Sequence, residues 1–290
     1  MDSITVEARA KINLFLNVGK KRADGYHDID TVMTAVDLCD TVMVTKCGES
    51  GIFLDCLSSD KEIKSELDSL APEKNIACKA AELFFGKLGL EGFGVNIRIE
   101  KRIPVCAGLA GGSTDAAAVL KCLNSLWGEP YSMEELCGIA SEAGADVAFC
   151  VAGGTKLCRG RGEIMTAVDG RLPLHGLIVP EKTKKLSTGV AYGLVDNFNE
   201  GRESNKKSSE AVVTALKNGD YSMLCKEIYN VFEEACGYGS RAKHIMLEGG
   251  ADACALSGAG ASFFALYSNE EKMKKSVLSL EREGYKVYSF

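Results

Sequence analysis

The segment Pro104-Val-Cys-Ala-Gly108-Leu-Ala-Gly111-Gly112-Ser113-Thr114-Asp115-Ala-Ala-Ala constrains this chain more than any other stretch. It is built mostly of small residues, and beyond it Ala116, Val119, Leu120, Leu123 and Trp127 recur at helical spacing, so a glycine loop feeds directly into a helix. Backbone without Cβ atoms lets an anion come close, and a helix N-terminus turns N–H groups and the positive end of its dipole toward that anion. Ser113 and Thr114 supply hydroxyls and Asp115 a carboxylate, any of which can take Mg²⁺, and the hydroxyls can also bond phosphate. The same letters fit an ordinary helix entry with hydroxyl capping and Asp115 complementing the dipole. Neither G-x-x-x-x-G-K-[ST] nor G-x-G-x-x-G occurs in the chain, which removes two common nucleotide-binding designs.

Upstream, Ile4, Val6 and Ala8, then Ile12, Leu14, Leu16 and Val18, alternate with other residues at the period of a half-buried strand. That alternation puts Lys11, Asn13, Phe15 and Asn17 on the opposite face, so a cation and an amide two residues apart share one side. A turn at Ala23-Asp24-Gly25 precedes β-rich runs at 32–36 and 41–45. A helix is expected over 75–88 with Gly89 as its stop, then a strand over 95–99. Ser132 with Glu135 forms a capping box for a helix ending at Gly144, and the chain turns through Gly160 and Gly162. Further on come a strand at 177–179, helices around 209–216 and 221–235, a β segment at 253–267 interrupted by Gly258 and Gly260, and a last helix and strand. The span 197–209 reads as loop, and there is no internal repeat. The pattern is that of an α+β protein of two lobes, 1–168 and 169–290.

Composition narrows the function classes. With 34 Lys and Arg against 40 Asp and Glu the net charge is −6, which argues against a nucleic-acid partner. The runs 182–185 and 272–275 read as solvated basic faces. The 12 cysteines are scattered with no C-x-x-C, and the three histidines lie far apart, so neither a disulfide framework nor a zinc site is expected. Reduced thiols, a start interrupted by charge and the lack of a long apolar run imply a cytoplasmic protein without a membrane segment. Glycine, at 31 residues, exceeds the roughly 20 that ordinary usage of about 7% gives.

Other residues invite chemistry. Asp146 follows a helix end and precedes an apolar strand-like run; its carboxylate can accept a proton from a substrate hydroxyl, or simply make a turn. Lys11 can neutralise a transferring phosphoryl group or be a solvated edge residue. Tyr26 and His27 can stack on and bond a planar base or plug a turn.

Taken in order, Ala10-Lys11-Ile-Asn13-Leu, Ala23-Asp-Gly-Tyr26-His27, the 104–115 loop, Gly144-Ala-Asp146-Val, Arg159-Gly-Arg-Gly-Glu163 and Ser257-Gly-Ala-Gly260 resemble the GHMP small-molecule kinases, most nearly their cytidyl-linked branch. The resemblance covers residues 8 to 262. It implies a two-lobed fold, with a ribosomal-protein-S5-like N-terminal lobe, a ferredoxin-like C-terminal lobe and the active site in the cleft between them. It also implies ATP- and Mg²⁺-dependent direct phosphoryl transfer to the 2-hydroxyl of a cytidine diphosphate-linked methylerythritol, in non-mevalonate isoprenoid synthesis. On that likeness Pro104, Val105, Cys106, Ala107, Gly108, Leu109, Ala110, Gly111, Gly112, Ser113 and Thr114 hold the ATP phosphates, and Lys101 and Asn75 stand near the nucleotide. Asp146 is the base, Lys11 its electrostatic partner, and Asn13 positions the reacting end. Tyr26 and His27 take the cytosine, Tyr192 forms a second aromatic wall, and Thr188 lies near the diphosphate. The chain departs from the pattern at Ala110, where glycine is common, at Thr114 for serine, and at Ala148 and Cys150 for proline and phenylalanine; none of these removes a proposed catalytic group. A monomer or homodimer is expected. Competing readings are another GHMP kinase, for mevalonate, homoserine or a sugar, and a non-catalytic metabolite sensor of the same fold.

Overall fold

The structure, a computed structural model, describes residues 2–68, 75–170, 174–181, 186–200 and 207–290. Contacts group the chain into two units. The first comprises Met1–Lys11, Ala35–Val105 and Ala110–Gly153, the second Ile12–Thr34, Cys106–Leu109 and Gly154–Phe290. Two long strands, β1 (Ser3–Lys21) and β2 (His27–Lys46), contribute residues to both.

In the first unit β3 (Gly51–Leu57) is followed by α1 (Lys61–Asp68), α2 (Ile76–Leu88), β4 (Gly94–Glu100), α3 (Gly111–Leu126), α4 (Met133–Ala143) and α5 (Val147–Ala152). The Thr41–Lys46 part of β2 pairs antiparallel with β4, which pairs parallel with β3. The helices form where the sequence supplies both period and punctuation. Asn75 caps α2 through the Ala77 N–H and Gly89 ends it in the left-handed region, while Ser132 and Glu135 form the expected capping box of α4. Alanines at 77, 80, 116, 117 and 118 are buried and let α2 lie close on α3.

The second unit holds β5 (Thr155–Arg159), β6 (Ile164–Ala167), β7 (Gly176–Pro180), α6 (Thr188–Asn199), α7 (Ser209–Asn218), α8 (Tyr221–Glu227), β8 (Tyr229–Asn230), α9 (Val231–Ala235), α10 (Arg241–Glu248), β9 (Ala253–Ser257), β10 (Ser262–Leu266), α11 (Glu270–Arg282) and β11 (Tyr288–Ser289). Here the Thr31–Thr34 part of β2 pairs with β5, and β5 with β6. A separate four-stranded sheet runs β11-β7-β10-β9. Its core joins Leu16, Val179, Val195, Phe232, Ile245, Leu256 and Phe263.

Several expectations change. β1 is buried on both faces from Ala10 to Leu16, not on one, because the side bearing Lys11 and Asn13 is covered as well. The two β-rich runs at 32–36 and 41–45 belong to the single strand β2. The apolar run after Asp146 is the short helix α5 rather than a strand. The helix expected over 221–235 is broken: Ile228 is extended, Tyr229 and Asn230 pair in parallel with Phe15 and Leu16 of β1, and Asn230 then caps α9. Helices α1 and α6 lie outside the expected elements; residues 197–199 of the expected loop end α6. The 272–275 cluster lies on α11 with its lysines exposed, whereas 182–185 lies outside the described residues.

Candidate active site

The glycine segment divides at Ala110. This residue sits at the N-cap of α3 with φ 60° and ψ 27°, and no side chain caps the helix. Gly111, Gly112 and Ser113 are therefore its first turn rather than loop, and the first intrahelical bond is donated by the Thr114 N–H to the Ala110 carbonyl, at 2.9 Å. The opening N–H groups of a helix have no carbonyl inside it to bond, and here Gly112 is exposed and Gly111 and Ser113 half-buried. The arrangement suits an anionic ligand.

In the second unit, residues 106–109 are fastened to the β9–β10 hairpin. The Ser262 N–H donates to the Ala107 carbonyl at 3.1 Å and the Ser257 hydroxyl to the Gly108 carbonyl at 3.0 Å. Gly108 has φ 79°, and a Cβ there would lie 2.2 Å from the Ser257 carbonyl oxygen. Only glycine fits.

The three candidate magnesium ligands fare differently. Thr114 is buried and donates its hydroxyl to the Arg9 carbonyl at 2.6 Å. Asp115 is buried beside Lys101, whose ammonium donates to it at 2.6 Å and also to Asp40. Ser113 alone of the three is half-exposed. Among the described residues no group of three or more His, Cys, Asp and Glu side chains gathers to hold a metal. Asn75, expected near the nucleotide, spends its side-chain oxygen on capping α2 at 2.9 Å and turns its amide toward the Cys56 sulfur.

Lys11 and Asp146 are brought to one place in the first unit. Both act on the buried Cys150 thiol, which burial pushes up to about 12; Asp146 raises it further, and Lys11 and a bond from Thr114 work the other way. Asp146 occupies the N-cap position of α5, and its side chain makes no cap bond there. Ala148 and Cys150 are both buried in α5, so these departures from the family pattern affect packing beside that carboxylate.

The remaining candidates lie in the second unit. Asn13 is buried, donates to the Thr31 hydroxyl at 2.9 Å and accepts the Gly258 N–H at 3.0 Å, which ties β1 to the second glycine turn. Tyr26 and His27 part company: Tyr26 is 57% exposed with the Arg161 guanidinium 5.0 Å from its ring, while His27 is 8% exposed. The His27 ring lies 4.9 Å from that of Tyr192, and its Nε2 is 2.8 Å from Asp196 Oδ1. A carboxylate only accepts, so Asp196 sets the Nε2–H orientation of the imidazole. Thr188 is exposed at the first position of α6, one turn before Tyr192. Sequence reasoning did not single out Asp196, because α6, which sets it four residues after Tyr192 on one helix, was not among the expected elements. It also passed over Asp40, which nothing local marks.

The N-terminal domain profile of the GHMP kinases matches residues 75–154, the stretch from the cap of α2 through α5. Among curated relatives, 4-diphosphocytidyl-2-C-methyl-D-erythritol kinase of Brevibacillus brevis is 38% identical over 94% of this chain and 90% of its own, and that of Listeria innocua is 38% identical over 98% and 94%. A crystal structure of 4-(cytidine 5'-diphospho)-2C-methyl-D-erythritol kinase superposes with a TM-score of 0.79 at 28% identity, covering 99% of this chain and 98% of that one. Homoserine kinase from Cytophaga hutchinsonii, at 21% identity and a TM-score of 0.75 over 100% and 94%, shares the fold. The fold is thus the mixed α/β fold of the GHMP kinases, enzymes that phosphorylate small molecules. Within that class the chain belongs to the 4-diphosphocytidyl-2-C-methyl-D-erythritol kinase family.

Proposed function

We propose that the protein transfers the γ-phosphoryl group of ATP to the 2-hydroxyl of 4-diphosphocytidyl-2-C-methyl-D-erythritol, giving the 2-phosphate and ADP. The observation that carries the phosphate-binding part is the uncapped entry of α3, where Ala110 turns left-handed and Gly111, Gly112 and Ser113 present the first N–H groups. Residues 104–114 hold the triphosphate, with Asn75 and Lys101 nearby. Magnesium, arriving with the nucleotide, would neutralise its phosphate charge and meet the half-exposed Ser113 hydroxyl.

Asp146 takes the proton of the 2-hydroxyl as the oxygen attacks phosphorus, and the buried Lys11 ammonium offsets the negative charge gathering there. Asn13, fixed by Thr31 and Gly258, positions the reacting end. The exposed face of Tyr26 stacks on the cytosine, His27 and Tyr192 complete its recognition, and Thr188 stands toward the diphosphate. The acceptor assignment draws on kinship with the cytidyl-linked kinases and on this aromatic set, which an acceptor without a base would not use. The lobes are assigned as 1–168, which contains the matched 75–154 stretch, and 169–290. We place the enzyme in the cytoplasm as a monomer or homodimer, with neither nucleic acid nor membrane as partner; no helix among the described residues is long and apolar enough to cross a membrane.

An ADP-release assay with the diphosphocytidyl substrate, mevalonate and homoserine tests the reading. Turnover with the first alone is expected, and turnover confined to the other two would refute it. Asp146→Asn is expected to keep ATP binding and lose at least about 100-fold in kcat, the lower range for removing a general base. Near-normal turnover in that variant would remove Asp146 from the role.

A further inference from the structure

Three buried charged side chains meet beneath the start of α3. Asp40 comes from β2, Lys101 from the end of β4 and Asp115 from the helix itself, with exposures of 0%, 5% and 4%. The Lys101 ammonium donates to both carboxylates. The second oxygen of Asp40 accepts the N–H groups of Arg102 at 2.5 Å and Ile103 at 2.8 Å, the two residues before Pro104. One carboxylate thus fixes where the glycine segment begins. At the other end the Lys101 Nζ would lie 3.4 Å from a Cβ on Gly111, and its bond to Asp115 fixes where the helix begins.

Stability alone does not explain such a cluster, since apolar side chains of similar volume in place of a buried ion network are often as stable or more so. We propose that Asp40, Lys101 and Asp115 are positioning residues that hold both ends of the phosphate segment at the separation a nucleoside triphosphate requires, acting from below without touching it. Lys101 then serves the nucleotide through the backbone it anchors. This rests on the reading of 104–114 as the ATP site.

The test is binding of a non-hydrolysable ATP analogue by calorimetry, with KM for ATP and for the diphosphocytidyl acceptor, in wild type and in Asp115→Asn, which keeps side-chain size. The variant is expected to bind the analogue and ATP more weakly by on the order of tenfold or more, because small displacements of positioning groups have large effects, while the acceptor KM moves less than about twofold. Lys101→Arg, which keeps charge but shifts the donors, carries the same expectation if Asp115→Asn does not fold. Unchanged nucleotide affinity with only a lower Tm, or equal losses for both substrates, would overturn the proposal. Failure of the wild type to bind the analogue would instead overturn the ATP reading, and this inference with it.

Discussion

Gly108 and Ala110 stand two residues apart with the same left-handed backbone, and only one of them is a glycine. At Gly108 the side-chain direction is blocked by backbone, so Gly108→Ala is expected to cost at least about 2 kcal/mol in denaturant unfolding, from steric conflict added to an unfavourable φ. At Ala110 the methyl is accommodated but the conformation is not, so Ala110→Gly is expected to raise stability by about 1 kcal/mol in the same measurement. The sequence shows that a common glycine is missing there; it does not show that the position is left-handed, because φ is fixed by the loop's two anchored ends. Lys101 marks the same boundary. A lysine after a strand reads as a residue that reaches for ligand, yet its partners lie 61 and 14 residues away in sequence, and only the fold puts it among carboxylates.

At the scale of elements, what was legible followed local punctuation. Asn75, Gly89, the Ser132–Glu135 box and Gly144 marked their helices because caps are satisfied within a few residues. What was not legible depended on distant neighbours. β8 interrupts an apparently continuous helix because Tyr229 and Asn230 find an open edge on β1, and the polar face of β1 is buried because the Gly258 turn and Thr31 meet Asn13 there. α6 places Tyr192 and Asp196 against His27, the group proposed to take the cytosine. Asp196→Asn replaces an obligate acceptor with a group that can also donate, and loosens the imidazole's orientation. A rise in the acceptor KM of about tenfold, the effect of roughly 1.4 kcal/mol, is expected with the ATP KM unchanged. Equal KM values in variant and wild type would leave the His27–Asp196 contact without a part in recognition.

Across the whole molecule the 12 thiols form no disulfides and span every environment. Cys106 is exposed within the glycine segment, while Cys122 and Cys150 are buried and pushed up to about 12 by burial, which disfavours their thiolates. Alkylation of the native protein, read by mass spectrometry, is expected to label Cys106 first and to be slowed there by ATP, with Cys122 and Cys150 labelled only after unfolding. The net charge of −6 is compatible with the proposed phosphate site for a local reason: helix N–H groups and a buried lysine would act at short range and need no basic surface.

Asn13 and Gly258, joined by a hydrogen bond, are 245 residues apart, and Phe15 of the same strand pairs with Tyr229. β1 therefore completes its contacts only with residues made much later in the chain. Until then it carries an unpaired edge of the kind that recruits other strands, and closing so long a loop slows folding. Fragments that stop before residue 229 are expected to aggregate rather than to fold.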